Sequence, residues 1–101
     1  MTQSLIQDIL DVSSSINDKR HLFSVLSKVM EEVGELAVEV AVAKGMTYKS
    51  GGHDGVIGEC VDAIIALTDL IYVNNPNITE EEIQAKVQAK LQKWVSKVEE
   101  Q

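Results

Sequence analysis

Two stretches of this chain carry carboxylates at spacings that suit metal chemistry. The first holds Glu31, Glu32, Glu35 and Glu39; the second holds Glu59, Asp62 and, further on, Asp69. At about 100° per residue on a helix, Glu32, Glu35 and Glu39 fall within an arc of roughly 60°, with Glu31 on the flank. Glu59 and Asp62 are three apart, so they too point to one side of a helix. Their neighbours are apolar, and an ionised carboxylate buried without a partner costs several kcal/mol. Two such groups side by side repel one another as well. A Glu-rich helix face is ordinarily just solvated, so Glu31 to Glu39 alone carry little weight. Together with Glu59 and Asp62 the pattern predicts two antiparallel helices with a hard cation between them. Glu32, Glu35, Glu59 and Asp62 are the expected oxygen ligands. With no His or Cys in the set, the expected ion is Mg²⁺, with Mn²⁺ as a substitute. Glu39 and Asp69 are the weaker members, each read as an outer or surface group.

Four helices and no strand are expected to position these groups. The first spans about 4–16, with Leu5, Ile6, Ile9, Leu10 and Val12 as its apolar stripe. The second spans about 21–44, with Leu22, Val25, Leu26, Val29, Val33, Leu36, Ala37 and Val40 on one face, and stops at Gly45. A glycine-rich loop follows, from Gly45 to Gly55. The third helix, about 56–74, is apolar nearly all round, so part of its surface is expected to meet another subunit. After the break at Asn74-Asn-Pro-Asn77, Thr79 and Glu82 form a capping box for a fourth helix running to about Val98. Ile83, Val87, Leu91, Trp94, Val95 and Val98 are its expected inward face. The fold class is therefore all-α: a four-helix bundle completed by homo-oligomerisation, one domain over residues 1–101.

Glu31-Glu32-x-x-Glu35, followed after 23 intervening residues by Glu59-x-x-Asp62, resembles the signature of the MazG-like all-α nucleoside triphosphate pyrophosphohydrolase superfamily. That superfamily includes dimeric dUTPases, dCTP pyrophosphatases and phosphoribosyl-ATP pyrophosphohydrolases. The stretch Met30 to Ala37 looks most like the MazG branch. Cys60 and Val61 stand where Leu-Gly is often seen in the second half of the motif, a change of packing and not of chemistry. The resemblance implies hydrolysis of the α–β phosphoanhydride of a (d)NTP, giving (d)NMP and pyrophosphate. It implies Mg²⁺ on Glu32, Glu35, Glu59 and Asp62. Glu31 would be a further ligand or the group that orients and deprotonates the attacking water. The catalytic set it suggests is thus Glu31, Glu32 and Glu35, in a homodimer or homotetramer.

Basic and aromatic residues supply candidates for substrate contact. Lys86, Lys90, Lys93 and Lys97 lie within about 60° on the fourth helix; a solvated face explains them, or Lys90 and Lys93 reach a phosphate tail. Lys49, His53 and Tyr48 in the loop are placed to close over substrate. Trp94 reads as core. No Walker-type loop is present.

Bulk properties narrow the field further. The net charge of −7 argues against general binding to nucleic acid or anionic membrane. A protein this acidic needs a bound cation before it can accept a polyphosphate. The single cysteine, Cys60, excludes an internal disulfide framework and reads as a buried core residue. The first ten residues lack the features of a signal peptide, and no apolar run is long enough to span a membrane, so the expected compartment is the cytoplasm. The competing expectation is a non-catalytic helical oligomer, a binding or regulatory module whose carboxylates are structural.

Overall fold

A computed structural model describes residues 3–46 and 55–100. Among them are four helices and no strand: α1 (Leu5–Ser14), α2 (Leu22–Ala43), α3 (Gly55–Asn74) and α4 (Glu80–Glu99). All eight helix ends fall within two residues of those expected from the sequence.

Local chemistry sets the ends. Ser4 caps α1, its hydroxyl accepting from the Gln7 N–H at 3.1 Å. The serines that close α1 turn back on it: Ser14 Oγ donates to the Asp11 carbonyl and Ser15 Oγ to that of Val12. Such bonds compete with further helix. α2 ends in a Schellman motif, with Gly45 at φ +68°. There Met46 N–H donates to the Ala41 carbonyl at 2.8 Å, and Gly45 N–H to that of Val42 at 3.0 Å. Thr79 and Glu82 form the reciprocal capping box of α4.

α2 and α3 are the principal packing pair, α1 lies on α3, and α4 touches α1 alone. Leu22, Phe23 and Leu26 share a cleft with Leu70, Ile71 and Asn74, while Glu32 meets Glu59 and Asp62. Numbers rise along one helix as they fall along the other, so the pair is antiparallel. Asp69 ties the elements together. Its carboxylate accepts from Ser13 Oγ on α1 and from Arg20 Nη1 at 2.6 Å, from the segment joining α1 to α2.

The core is thin. Among the described residues it consists of Ile9, Leu10, Val25, Val29, Ala63, Ala66 and Ile83, and none of their side chains is fully enclosed. The radius of gyration, 16.2 Å, exceeds the ~13 Å of a compact chain of this length. Several expectations change accordingly. Of the expected inward face of α4 only Ile83 is buried; Val87, Leu91, Val95 and Val98 are exposed, and Trp94 is 66% exposed and not core. Cys60 is also exposed and not core. On α1, Leu5 and Val12 face outward; on α2, so do Leu22, Leu26, Val33 and Val40. The physical reason is common to all of them: only α2 and α3 pack extensively, and one small chain has too little packed surface to cover its own apolar faces.

Candidate metal centre

α3 is inverted relative to an ordinary amphipathic helix. Ala63, Ala66 and Thr68 are buried, and the half-buried Glu59, Asp62 and Asp69 lie along the same packed side, while Ile57, Val61, Ile64, Ile65, Leu67 and Ile71 are exposed. Small side chains at 63 and 66 let the neighbouring helices approach closely, which brings the carboxylates into the contact. Thr68 satisfies its hydroxyl within α3, donating to the Ile64 carbonyl at 2.8 Å.

From α2, Glu32 points into this contact. It is only 7% exposed. One carboxylate oxygen each from Glu32, Glu59 and Asp62 lies within 4.8 Å of the others, the one such group among the described residues. Glu32 Oε1 accepts from Lys28 Nζ at 3.0 Å, one turn earlier on α2. Its other oxygen, Oε2, is buried and accepts no hydrogen bond from the described residues. A buried carboxylate oxygen with no donor is costly, and a cation is the ordinary remedy.

The remaining sequence candidates are placed as follows. Glu31 is exposed, with its carboxylate 3.8 Å from Lys28 Nζ. Glu35 is exposed and lies outside the group of three. Glu39, further along α2, is buried. Asp69 is engaged by Arg20 and Ser13 rather than by the cluster. Lys90 and Lys93 are exposed on α4, which has no contact with α2 or α3. Tyr48, Lys49 and His53 lie outside the described residues.

Two functional features escape a reading focused on carboxylates. One is Lys28, whose hydrogen bond to Glu32 and proximity to Glu31 hold its ammonium above the ordinary lysine range. Its spacing, four residues before Glu32, is the signal that betrays it. The other is a cleft of about 480 Å³ between α1, α2 and α3. Lys28, Glu32 and Asp62 line one part of it; Ile9, Val12 and Ile65 supply apolar walls. No local pattern marks such a cleft, because three separate helices build it.

The donor set fits a hard divalent cation: three carboxylates from two helices, oxygen only, one oxygen lacking any hydrogen-bond donor among the described residues. Glu32, Glu59 and Asp62 would hold it. No protein-family model, curated protein or solved structure matches this chain. No helix among the described residues is long and apolar enough to cross a membrane.

Proposed function

We propose that this chain is a Mg²⁺-dependent nucleoside triphosphate pyrophosphohydrolase of MazG-like type. It would convert a (d)NTP and water to (d)NMP and pyrophosphate, working in the cytoplasm as a homodimer or homotetramer. The observation that carries the reading is the convergence of Glu32, Glu59 and Asp62 across the α2–α3 contact. Mg²⁺ held there would neutralise phosphate charge and polarise the scissile phosphoanhydride.

The chain's own groups take the other parts. Glu32, Glu59 and Asp62 would hold the cation, and through it the phosphate chain, at one wall of the cleft. Glu31 stands one residue from Glu32 and open to solvent, where it can orient the attacking water and accept its proton. The water oxygen would bond to the α-phosphorus as the α–β phosphoanhydride bond breaks, leaving (d)NMP and pyrophosphate as the two products. The apolar side chains that line the cleft would pack against the remainder of the substrate. Glu35, the fourth ligand expected from the sequence, would have to turn inward from its exposed position to join.

The exposed isoleucines and Leu67 of α3, and the open face of α4, support the oligomer. A second copy is the partner whose apolar faces match in extent and character, and closed homo-oligomers are the common solution.

A panel of canonical and damaged-base nucleotides, assayed for pyrophosphate with and without Mg²⁺, tests the proposal. Turnover is expected with Mg²⁺ only, and is lost in Glu32→Gln and Asp62→Asn. No turnover on any nucleotide, or equal turnover in Asp62→Asn, would reject it in favour of a helical binding module.

A further inference from the structure

Lys28 stands on the boundary between two clefts of opposite character. On one side is the cleft that contains Glu32 and Asp62. On the other is a cleft of about 360 Å³ bordered by Lys19, Arg20, His21, Lys28 and Asp69. The chain has only nine Lys and Arg in all, and three of them border this second cleft. α2 also begins here. Its N-cap, His21, makes no side-chain capping bond, and its first turn holds no acidic residue, so the positive end of the helix is uncompensated.

The four cationic or imidazole groups are not equivalent. Arg20 is committed to Asp69 at 2.6 Å. Lys19 and His21 are exposed. Lys28 is the one that also reaches the carboxylate cluster, with Nζ 3.0 Å from Glu32 Oε1 and 3.8 Å from Glu31 Oε1. Lys28 holds Oε1 and leaves the buried Oε2 without a donor among the described residues, so a divalent cation on Oε2 would sit across one carboxylate from the ammonium and repel it. The Lys28 side chain is 59% exposed, so it can leave Glu32 by rotating its flexible stem, with no repacking.

We propose that Lys28 is a positioning residue that exchanges partners: a divalent cation displaces it from Glu32, and the released ammonium then holds a phosphate chain whose far end lies in the basic cleft at the start of α2. The inference rests on the metal-centre reading and adds a direction to it. The substrate runs from the acidic cluster, across Lys28, toward Lys19 and His21, which places the leaving pyrophosphate on the basic side. The ammonium moves from carboxylate to phosphate as the metal takes its place, so the cluster is never left without a cation.

The test uses the full chain and the variants Lys28→Met, Lys28→Arg, Lys19→Gln and Glu32→Gln, with circular dichroism to verify folding. Mn²⁺ binding, followed by electron paramagnetic resonance without nucleotide, should tighten by about fivefold in Lys28→Met, because an exposed ion-pair competitor is gone. Binding of inorganic pyrophosphate at saturating Mg²⁺, followed by calorimetry, should weaken by about tenfold in Lys28→Met and recover in Lys28→Arg. Lys19→Gln should weaken pyrophosphate binding and leave Mn²⁺ affinity unchanged. Mn²⁺ affinity that is unchanged or lower in Lys28→Met, while Glu32→Gln abolishes binding, would overturn the exchange and spare the metal centre. Mn²⁺ affinity unaffected by Glu32→Gln would overturn both.

Discussion

Asp62→Asn should make the protein more stable without metal and less stable with it. The magnitude follows from the cluster. At 4.8 Å, the limit of the spacing between its oxygens, two carboxylates repel by about 3.5 kcal/mol at an effective dielectric of about 20. Asp62 faces two such groups, but it is only half-buried, and solvent screens it. After that discount a gain of about 1–2 kcal/mol is expected for the amide in chelator. For a domain of this size each kcal/mol moves the melting temperature by about 4–8 °C. Mg²⁺ at a hundred times its dissociation constant should stabilise the wild-type chain by about 2.7 kcal/mol, whereas the variant has lost one of three ligands and should respond weakly. Two thermal melts, one in chelator and one in excess Mg²⁺, at fixed protein concentration, should therefore cross. The reasoning is refuted if Asp62→Asn melts lower than wild type in chelator, or if Mg²⁺ raises both proteins equally.

Four further outcomes are expected. Glu35→Gln should keep most of the Mg²⁺-dependent rise in melting temperature that Glu32→Gln abolishes; equal loss in both would mean that Glu35 turns inward and completes the ligand set. Thr79→Ala should cost about 1 kcal/mol through loss of the capping box, seen as faster hydrogen exchange in the first turns of α4 and unchanged exchange in α2. Arg20→Ala leaves Asp69, 22% exposed, without its ion pair; a loss of about 2 kcal/mol in denaturant unfolding is expected, and Asp69→Asn in the same background should restore part of it. Trp94→Glu should lower the mass measured by light scattering, while wild-type Trp94 should emit as a shielded indole; red-shifted wild-type emission would mean that the α4 face stays open to water.

Helix number, type and ends were legible in the sequence because they depend on neighbours in the chain. Ser4 and Thr79 cap, Gly45 terminates, and the serines after Val12 draw the backbone out of the helix, all through contacts within about five residues. The pairing of Glu32 with Glu59 and Asp62 was legible for another reason. Carboxylates inside an apolar helix need a partner, and the i, i+3 spacing fixes which side of that helix they share.

Which apolar residues are covered could not be read in the same way. Periodicity gives α4 an inward face, but what that face meets depends on where the helix docks, and it docks on α1 through Ile83 alone among its buried residues. Trp94 and Cys60 have the residue types of a core and are still exposed, because residue type does not fix which face of a helix its neighbours cover. Tertiary structure also decided that Glu32 lies in the cluster and Glu35 outside it, although both sit within one arc of α2: the crossing with α3 selects one turn, and a helix wheel has no coordinate along its axis. The same crossing set Lys28 between an acidic and a basic cleft. The sequence by itself determined which carboxylates sit among apolar neighbours and which helices carry them; the packing of those helices determined which of them meet.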